Sequence, residues 1–103
     1  MRTHFDYHFS WDAKKAIINQ RKHGVSFEIA TGVFHDALMI SILDEEHSFS
    51  EERWITIGKA NGQKLMLVVH TYVEINHNRV DIRMISARHA TKYEQRQYEE
   101  TIQ

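Results

Sequence analysis

The second half of the chain contains three strand-like segments that follow one another with only short turns between them. The middle segment, residues 64–73, contains an unbroken apolar run at residues 65–69, which is typical of a strand in the interior of a sheet. An Asn-Gly pair at residues 61–62 predicts a hairpin before it, and residues 76–78 predict the next turn. In the flanking segments, residues 53–58 and 80–85, apolar and polar residues alternate, as in strands with one buried face. This half of the chain therefore predicts an antiparallel meander.

The first half predicts a strand, two helices and another strand. Aromatic and polar residues alternate over residues 5–10, and residues 37–43 are apolar and β-prone before an acidic loop at residues 44–52. Asp12 and Ser26 are suited to cap helices over residues 13–23 and 27–34, and Gly24 is suited to end the first one. The residues expected to face inward are Ala13, Ala16, Ile17 and Gln20 on the first helix and Ile29, Ala30, Val33 and Phe34 on the second.

A capping box, Thr91-x-x-Glu94, predicts a final helix that runs to about residue 102. The element order is then β-α-α-β-β-β-β-α. This order predicts a single α+β domain over residues 1–103, an antiparallel sheet meander with two N-terminal helices and one C-terminal helix packed against it.

Composition excludes several classes of protein. The 103 residues include no cysteine, which rules out a disulfide scaffold, a thiolate metal site and a cysteine nucleophile. No apolar run approaches the roughly 20 residues that span a bilayer, and residues 1–6 lack the apolar stretch of a signal peptide. We therefore expect a cytoplasmic protein that does not insert into membranes.

Charge is segregated along a chain whose formal net charge is only −1. Residues 13–27 hold four cations and no acid, residues 36–53 hold six acids and one cation, and residues 79–96 hold five cations and two acids. A local positive field can therefore persist beside an acidic segment. The alternative is a solvated surface whose charge blocks arose by chance.

Several basic residues have both a chemical and a structural interpretation. His23, at a helix C-terminus beside Lys22, is suited to carry a proton or to act as a terminal cation. Arg53 is suited to hold a phosphate or to pair with the neighbouring Glu51 and Glu52. His70, at the end of the buried run, is a reserve proton carrier or a hydrogen-bonded core residue.

Arg83 and Arg88 are five residues apart, which places them on opposite faces of a regular strand. A bend or bulge near residues 86–87 would bring them together. Glu94 is the best local anion for Arg88, although the capping box competes for it. No histidine pair has a recognised metal-ligand spacing, so we expect no metal site and no cofactor.

Four motifs of the chain together resemble BrnT-type toxins. They are Trp11-Asp12-x-x-Lys15-x-x-x-Asn19-x-x-Lys22-His23-Gly24-Val25-Ser26-Phe27, Glu52-Arg53-Trp54-Ile55-Thr56-Ile57-Gly58, Val68-Val69-His70-Thr71, and Arg83-x-Ile85-Ser86-Ala87-Arg88-x-Ala90-Thr91-x-x-Glu94-x-x-x-Tyr98. The resemblance implies a RelE-like ribonuclease fold. It also implies a type II toxin that is neutralised by a ribbon-helix-helix antitoxin encoded beside it.

On this basis we expect a metal-independent endoribonuclease that inhibits translation and growth. The catalytic candidates are Lys22, His23, Arg53 and Arg88, and the secondary candidates are Glu52, His70 and Arg83. DNA would be bound only through the antitoxin, since no helix-turn-helix spacing is present. The alternative is a non-catalytic module that docks an acidic partner or an antitoxin segment by charge complementarity.

Overall fold

The computed structural model describes residues 5–101, apart from the side chain of Gln63. Its strands and helices are β1 (Asp6–Ser10), α1 (Ala13–His23), α2 (Phe27–Ala30), β2 (Ile40–Leu43), β3 (Trp54–Lys59), β4 (Leu65–His70), β5 (Val73–Glu74), β6 (Arg79–His89) and α3 (Lys92–Thr101). Short 3₁₀ turns follow α2, β2 and β3. The expected end of the last helix, at residue 102, and the outer limits of the expected domain lie outside the described residues.

The strands form one sheet in the order β1-β6-β4-β3-β2, and β5 pairs with β6. Strands β2, β3, β4 and β6 are joined antiparallel, as the meander predicts. The expectation of a wholly antiparallel sheet is wrong, because β1 lies parallel to β6. The α+β class is confirmed, with a mixed sheet. The RelE-like fold implied by the resemblance stays a prediction.

One face of the sheet, here called the core face, is covered by α2 and the 3₁₀ turn Thr31–His35. Its fully buried residues alternate along the central strands, as period-two side-chain geometry requires. The residues of the core face and of the segments that cover it with no exposed surface are Ala30, Val33, Thr56, Val68, Val80, Ile82 and Ala87. The opposite face, here called the outer face, is covered by α3 over only part of its length, and this partial cover leaves room for a functional surface.

Local signals at the element ends are confirmed. The side chain of Asp12 accepts hydrogen bonds from the backbone N–H groups of Lys14 (2.8 Å) and Lys15 (3.1 Å). Gly24 ends α1 with φ of 69°, a left-handed conformation that favours glycine. In the Thr91–Glu94 capping box, the Thr91 N–H donates to the Glu94 carboxylate and the Glu94 N–H donates to the Thr91 hydroxyl.

The inward faces of the N-terminal helices are only partly as predicted. The buried residue of α1 is Asn19, whereas Ile17 is 53% exposed. The second helix is α-helical only to Ala30, where a 3₁₀ turn begins, and Ile29 points outward at 46% exposure. Phe27, 1% exposed, packs in its place. The change from α to 3₁₀ geometry alters the rotation per residue, so a single helical period fails here.

Asn19 is buried because its amide replaces a strand partner. Beyond the last residue of β1, the edge of β6 would be left unpaired at Ala87. The Asn19 side chain donates to the carbonyl oxygens of Ala87 (2.9 Å) and Val25 (3.0 Å), and accepts from the Ala87 N–H (3.0 Å). These bonds hold α1 along the edge of β6.

Candidate nucleic-acid interface

A bulge in β6 puts Arg83 and Arg88 on the same face of the sheet. Opposite β4, Val69 pairs with Ser86 but His70 pairs with Met84, so one extra residue, Ile85, is accommodated in β6. The side-chain alternation shifts by one position there. The predicted irregularity is therefore present, one position before residues 86–87, and it puts the two arginines on the same face without bringing their positions into contact.

Arg53 lies on this outer face too. In β3, Ile55 and Ile57 pair with Val69 and Leu67 of the outer face, while Thr56 is buried on the core face. Arg53 precedes Trp54 and shares the side of Ile55 by alternation. The outer face therefore carries arginines from two segments that are far apart in the sequence.

Arg53 is the outer-face arginine that has no carboxylate partner among residues 5–101: no carboxylate oxygen lies within 4.0 Å of its guanidinium. Its Nε is buried and has no hydrogen-bond acceptor in the described part of the chain. The expected ion pair between Arg53 and Glu51 or Glu52 is therefore wrong. Arg53 acts on Glu51 through its charge alone, without an ion pair.

Glu51 pairs instead with Arg83, which donates to it from both terminal nitrogens, one of them at 3.1 Å. These hydrogen bonds lower the pKa of Glu51, and the charges of Arg53 and Lys15 lower it further. Three cations thus surround a single carboxylate at this end of the outer face. Their excess positive charge remains available to a phosphate.

Arg88 is engaged by Glu94 of α3 through two hydrogen bonds of 2.9 and 2.8 Å. Glu94 also accepts from the Thr91 N–H at 2.9 Å, so the capping box and the ion pair form together instead of competing. The hydrogen bonds from Arg88 hold the pKa of Glu94 at about 2. Arg88 pairs with Leu67 of β4, and Arg83 with Thr71, so the two arginines are about 13 Å apart along the strand.

Lys22 and His23 lie on the last turn of α1, one turn beyond Asn19, whose side chain bonds to the backbone of Ala87. Lys22 is exposed and His23 is half-buried. In the described part of the chain, neither side chain forms a hydrogen bond or ion pair. Both are free to meet a ligand at the end of the helix.

His70 lies apart from the arginines, on the core face. It is 1% exposed, its Nε2 is 2.6 Å from the Thr56 hydroxyl and its Nδ1 is 2.8 Å from the Thr71 carbonyl oxygen. Burial lowers its pKa to about 4. This environment matches the core interpretation of His70 rather than that of a reserve proton carrier.

Glu52 is exposed in the loop before β3 and has no ion-pair partner among residues 5–101. Residue-by-residue reasoning missed Lys15, Asn19 and Glu51 as parts of the site. A signal for two of them was present, because positions 15, 19 and 23 are spaced four apart and share one helix face. The pairing of Glu51 with Arg83 depends on the path of a loop, which no local pattern encodes.

Two further features of the described residues bear on the class of protein. Among residues 5–101, no group of three histidine, aspartate or glutamate side chains is arranged to hold a metal ion. Over the same range, every helix is too short or too polar to cross a bilayer.

A sheet face with clustered arginines, bordered by the basic end of a helix, is a candidate surface for nucleic-acid phosphates. The sequence matches, over residues 11–94, the family described as "Ribonuclease toxin, BrnT, of type II toxin-antitoxin system". The chain therefore belongs to the BrnT family of ribonuclease toxins. The resemblance drawn from the four sequence motifs is confirmed.

A solved structure similar to this chain is the crystal structure of the ribonuclease toxin BrnT from Brucella abortus. It is 21% identical, with a TM-score of 0.48, and the match covers 82% of this chain and 96% of that one. A comparison with curated proteins finds no significant match.

Proposed function

We propose that the protein is a metal-independent endoribonuclease whose outer face binds RNA phosphates. The proposal is supported by the position of Arg53, Arg83 and Arg88 on one side of the sheet, along whose β6 edge lies the helix that carries Lys22 and His23. Family membership supports ribonuclease activity. Cleavage of cytoplasmic RNA by this toxin would inhibit translation and growth.

The proposed reaction is attack of a ribose 2′-oxygen on the adjacent phosphorus. A base removes the 2′-hydroxyl proton, the new P–O bond forms, and the bond to the 5′-oxygen breaks as an acid protonates that oxygen. The products are a 2′,3′-cyclic phosphate and a free 5′-hydroxyl. His23 is the proposed acid or base, because an imidazole can both donate and accept a proton.

Cations are needed because the phosphorane carries more negative charge than the substrate. Arg53 is proposed to stabilise that charge directly, and the absence of a carboxylate partner for its guanidinium among the described residues supports this role. Lys22 and Arg88 are proposed to hold the phosphate. Because Arg88 is paired with Glu94, we propose that it orients the phosphate as much as it attracts the phosphate by charge. Glu52 remains a proposed orienting group for a cation.

The test is cleavage of a labelled RNA by the purified chain in the presence of EDTA. We expect His23→Ala and Arg53→Ala to lower kcat/KM by about 100-fold, as loss of a transition-state partner does. Arg88→Ala should have a smaller effect. The matched control is Arg79→Ala, since Arg79 is exposed, pairs with Asp81 and lies at the far end of β6 from Arg88. Full activity in the first three variants would refute this site.

The partner proposed for the outer face is a ribbon-helix-helix antitoxin that also supplies any DNA contacts. A groove of about 370 Å³ runs between α3 and the isoleucines of β2 and β3, of which Ile42 is exposed and the others are half-buried. An amphipathic antitoxin segment could place apolar residues in this groove and acidic residues on the arginines.

This partnership predicts that expression of the chain alone arrests growth and that co-expression of the adjacent ribbon-helix-helix gene restores it. The measurement is colony formation, followed by co-purification of the two proteins. Ile42→Asp, in the exposed apolar part of the groove, should weaken co-purification, whereas Ile18→Asp on α1 is the matched control. Equal co-purification of both variants would contradict docking in this groove.

The second candidate function is a non-catalytic docking module. It is favoured by the observation that Arg83 and Arg88 are already paired with Glu51 and Glu94. A docking module would bind RNA or an acidic partner without producing cyclic phosphate ends. The cleavage assay above separates the two functions.

A further inference from the structure

A cavity of about 340 Å³ opens on the core face, at the end of the sheet where β3 begins. It is lined by Met39, Ser41, Trp54, His70 and Tyr72. We propose that this cavity, here called the Trp54 pocket, binds a single nucleobase of the RNA substrate. The inference rests on the proposed ribonuclease function and adds a base-binding subsite to it.

The walls of the Trp54 pocket are aromatic and uncharged. The rings of Trp54 and Tyr72 have centroids 6.2 Å apart at an angle of 55°, and neither residue is fully buried. His70 is neutral near pH 7 because burial lowers its pKa to about 4. A phosphate or an ammonium group would find no opposite charge here, whereas a flat uncharged ring could stack on either aromatic side chain.

The volume of the pocket also limits the size of the ligand that it can hold. Pockets for small molecules range over about 300–1,000 Å³, and this one is at the lower end. One planar ring system fits such a space, whereas several nucleotides do not.

One polar group of the pocket lacks a partner. The indole N–H of Trp54 is buried and has no acceptor within the described part of the chain. A buried donor without a partner is rare in native proteins and is commonly satisfied by a water or a ligand. Because this nitrogen has almost no accessible surface, a nucleobase would accept from it only after the indole ring turned within the pocket.

A second polar group is oriented by a buried hydrogen-bond chain. The Thr71 carbonyl can only accept, so a neutral His70 donates to it from Nδ1 (2.8 Å), and its Nε2 accepts from the Thr56 hydroxyl (2.6 Å). Thr56 in turn accepts from the Ser41 hydroxyl at 2.6 Å. The lone pairs of Ser41 are left free to accept from a ligand amino group. The pocket thus offers an acceptor that the amino group of a nucleobase can meet.

The position of the Trp54 pocket links it to the outer face. Trp54 directly follows Arg53, and consecutive strand residues project to opposite faces of a sheet. A single strand of RNA that passes around this end of β3 would present a base to Trp54 and a phosphate to Arg53. The pocket would then contribute base preference to a surface that otherwise contacts only the backbone.

The first test uses binding without cleavage. The probes are the four ribonucleoside 5′-monophosphates and ribose 5-phosphate, titrated into the full chain while the indole N–H signals of Trp11 and Trp54 are followed by NMR. Trp11→Phe assigns the two signals, since the chain contains two tryptophans. We expect at least one nucleotide to shift the Trp54 signal and leave Trp11 unchanged, while ribose 5-phosphate shifts neither. Failure of all four nucleotides to shift Trp54 would overturn the proposal.

The second test uses variants of the pocket. Tyr72→Leu should weaken nucleotide binding by about tenfold, within the range for loss of one base–aromatic stack. Trp54→Phe keeps a ring but removes the N–H and should reduce discrimination among the bases. Tyr93→Leu is the matched control, because Tyr93 is 67% exposed on α3. Circular dichroism verifies that each variant is folded.

The outcomes separate the pocket from the proposed function. Nucleotide binding that depends on Tyr72, together with no RNA cleavage, would refute the ribonuclease proposal and leave the pocket standing. RNA cleavage with unchanged kcat/KM and base preference in Tyr72→Leu and Trp54→Phe would refute the pocket and leave the ribonuclease.

Discussion

Arg53 differs from the other two arginines of the outer face because no carboxylate neutralises it among residues 5–101. Arg83 and Arg88 are positioned by Glu51 and Glu94, and each ion pair reduces the net charge that a phosphate would meet. From this contrast we expect Arg53 to stabilise the negative charge of a bound phosphate, and Arg83 and Arg88 to orient that phosphate.

The burial of His70 leads to a prediction about how the stability of the protein depends on pH. Its pKa is about 4 in the folded protein, below the usual 6.5, because it is buried. The unfolded chain therefore binds a proton that the folded chain does not over this interval, and stability falls as the pH drops from about 6.5 to about 4. Relative to pH 7.5, we expect this group to contribute a loss of roughly 2 kcal/mol at pH 5.

The measurement is urea unfolding of the wild-type chain and of His70→Gln at both pH values. Glutamine does not titrate, so the variant should lose that part of the pH dependence while keeping the part due to other groups. An identical pH dependence in the two proteins would show that His70 is not held neutral by the core.

Among the elements, α1 is unusual because a polar side chain fixes it to the sheet. Asn19 reproduces the hydrogen bonds of a strand partner at Ala87, so the helix continues the edge pairing that β1 begins. Lys15, Lys22 and His23 are placed by this attachment. The position of the proposed proton carrier thus depends on one amide.

Asn19→Ala should destabilise the protein by about 3 kcal/mol, because it leaves buried backbone groups of Val25 and Ala87 unpaired. Ile18→Ala is the control, since Ile18 is 60% exposed and its loss should change stability by less than about 0.5 kcal/mol. Chemical denaturation of the two variants checks the difference. Similar stabilities would mean that α1 is held by other contacts.

The helix α3 is attached to the sheet by two polar links. Glu94 binds Arg88, and the Tyr98 hydroxyl donates to Asp36 at 2.6 Å. Tyr98 is 2% exposed, and loss of its proton is disfavoured by burial and by Asp36, which raises its pKa to about 12. These links decide how much of the outer face α3 covers.

Glu94→Gln should lower stability at pH 7 by about 1 kcal/mol, because the amide keeps an acceptor for the cap but loses the ion pair. The pKa of Glu94 is about 2 when folded, below the usual 4.5. Its contribution is therefore present above pH 4.5 and is lost as the pH falls toward 2. Thermal unfolding across this range should show wild type and variant converging in acid. A constant difference would exclude the ion pair as its source.

For the whole molecule, the sequence was sufficient for the features that local chemistry encodes. The caps at Asp12 and Thr91, the hairpin at Gly62 and the alternation in β3 depend on neighbouring residues, and all were predicted. The parallel pairing of β1 with β6 was not, since it joins segments that are about 70 residues apart and no turn signal connects them.

The candidate site also combines features that the local sequence predicts with features that depend on the tertiary fold. Its residue types and the motif order pointed to arginines and a histidine, and the family was identified correctly. The partners of those arginines depend on tertiary contacts: Glu51 crosses to β6 from a loop, and Glu94 serves the cap and Arg88 together. Arg83 and Arg88 lie on the same face only because β6 contains a bulge, which the sequence permits but does not require.

That bulge makes the number of residues between the two arginines as important as their identity. If Ile85 were paired in an ordinary two-residue repeat, with no bulge, Arg88 would turn toward the apolar interior and Ala87 would turn outward. Loops elsewhere in the fold can lengthen at little expense. This stretch of β6 should accept many replacements of side chains, whereas insertion of one further residue would put Arg83 and Arg88 on opposite faces.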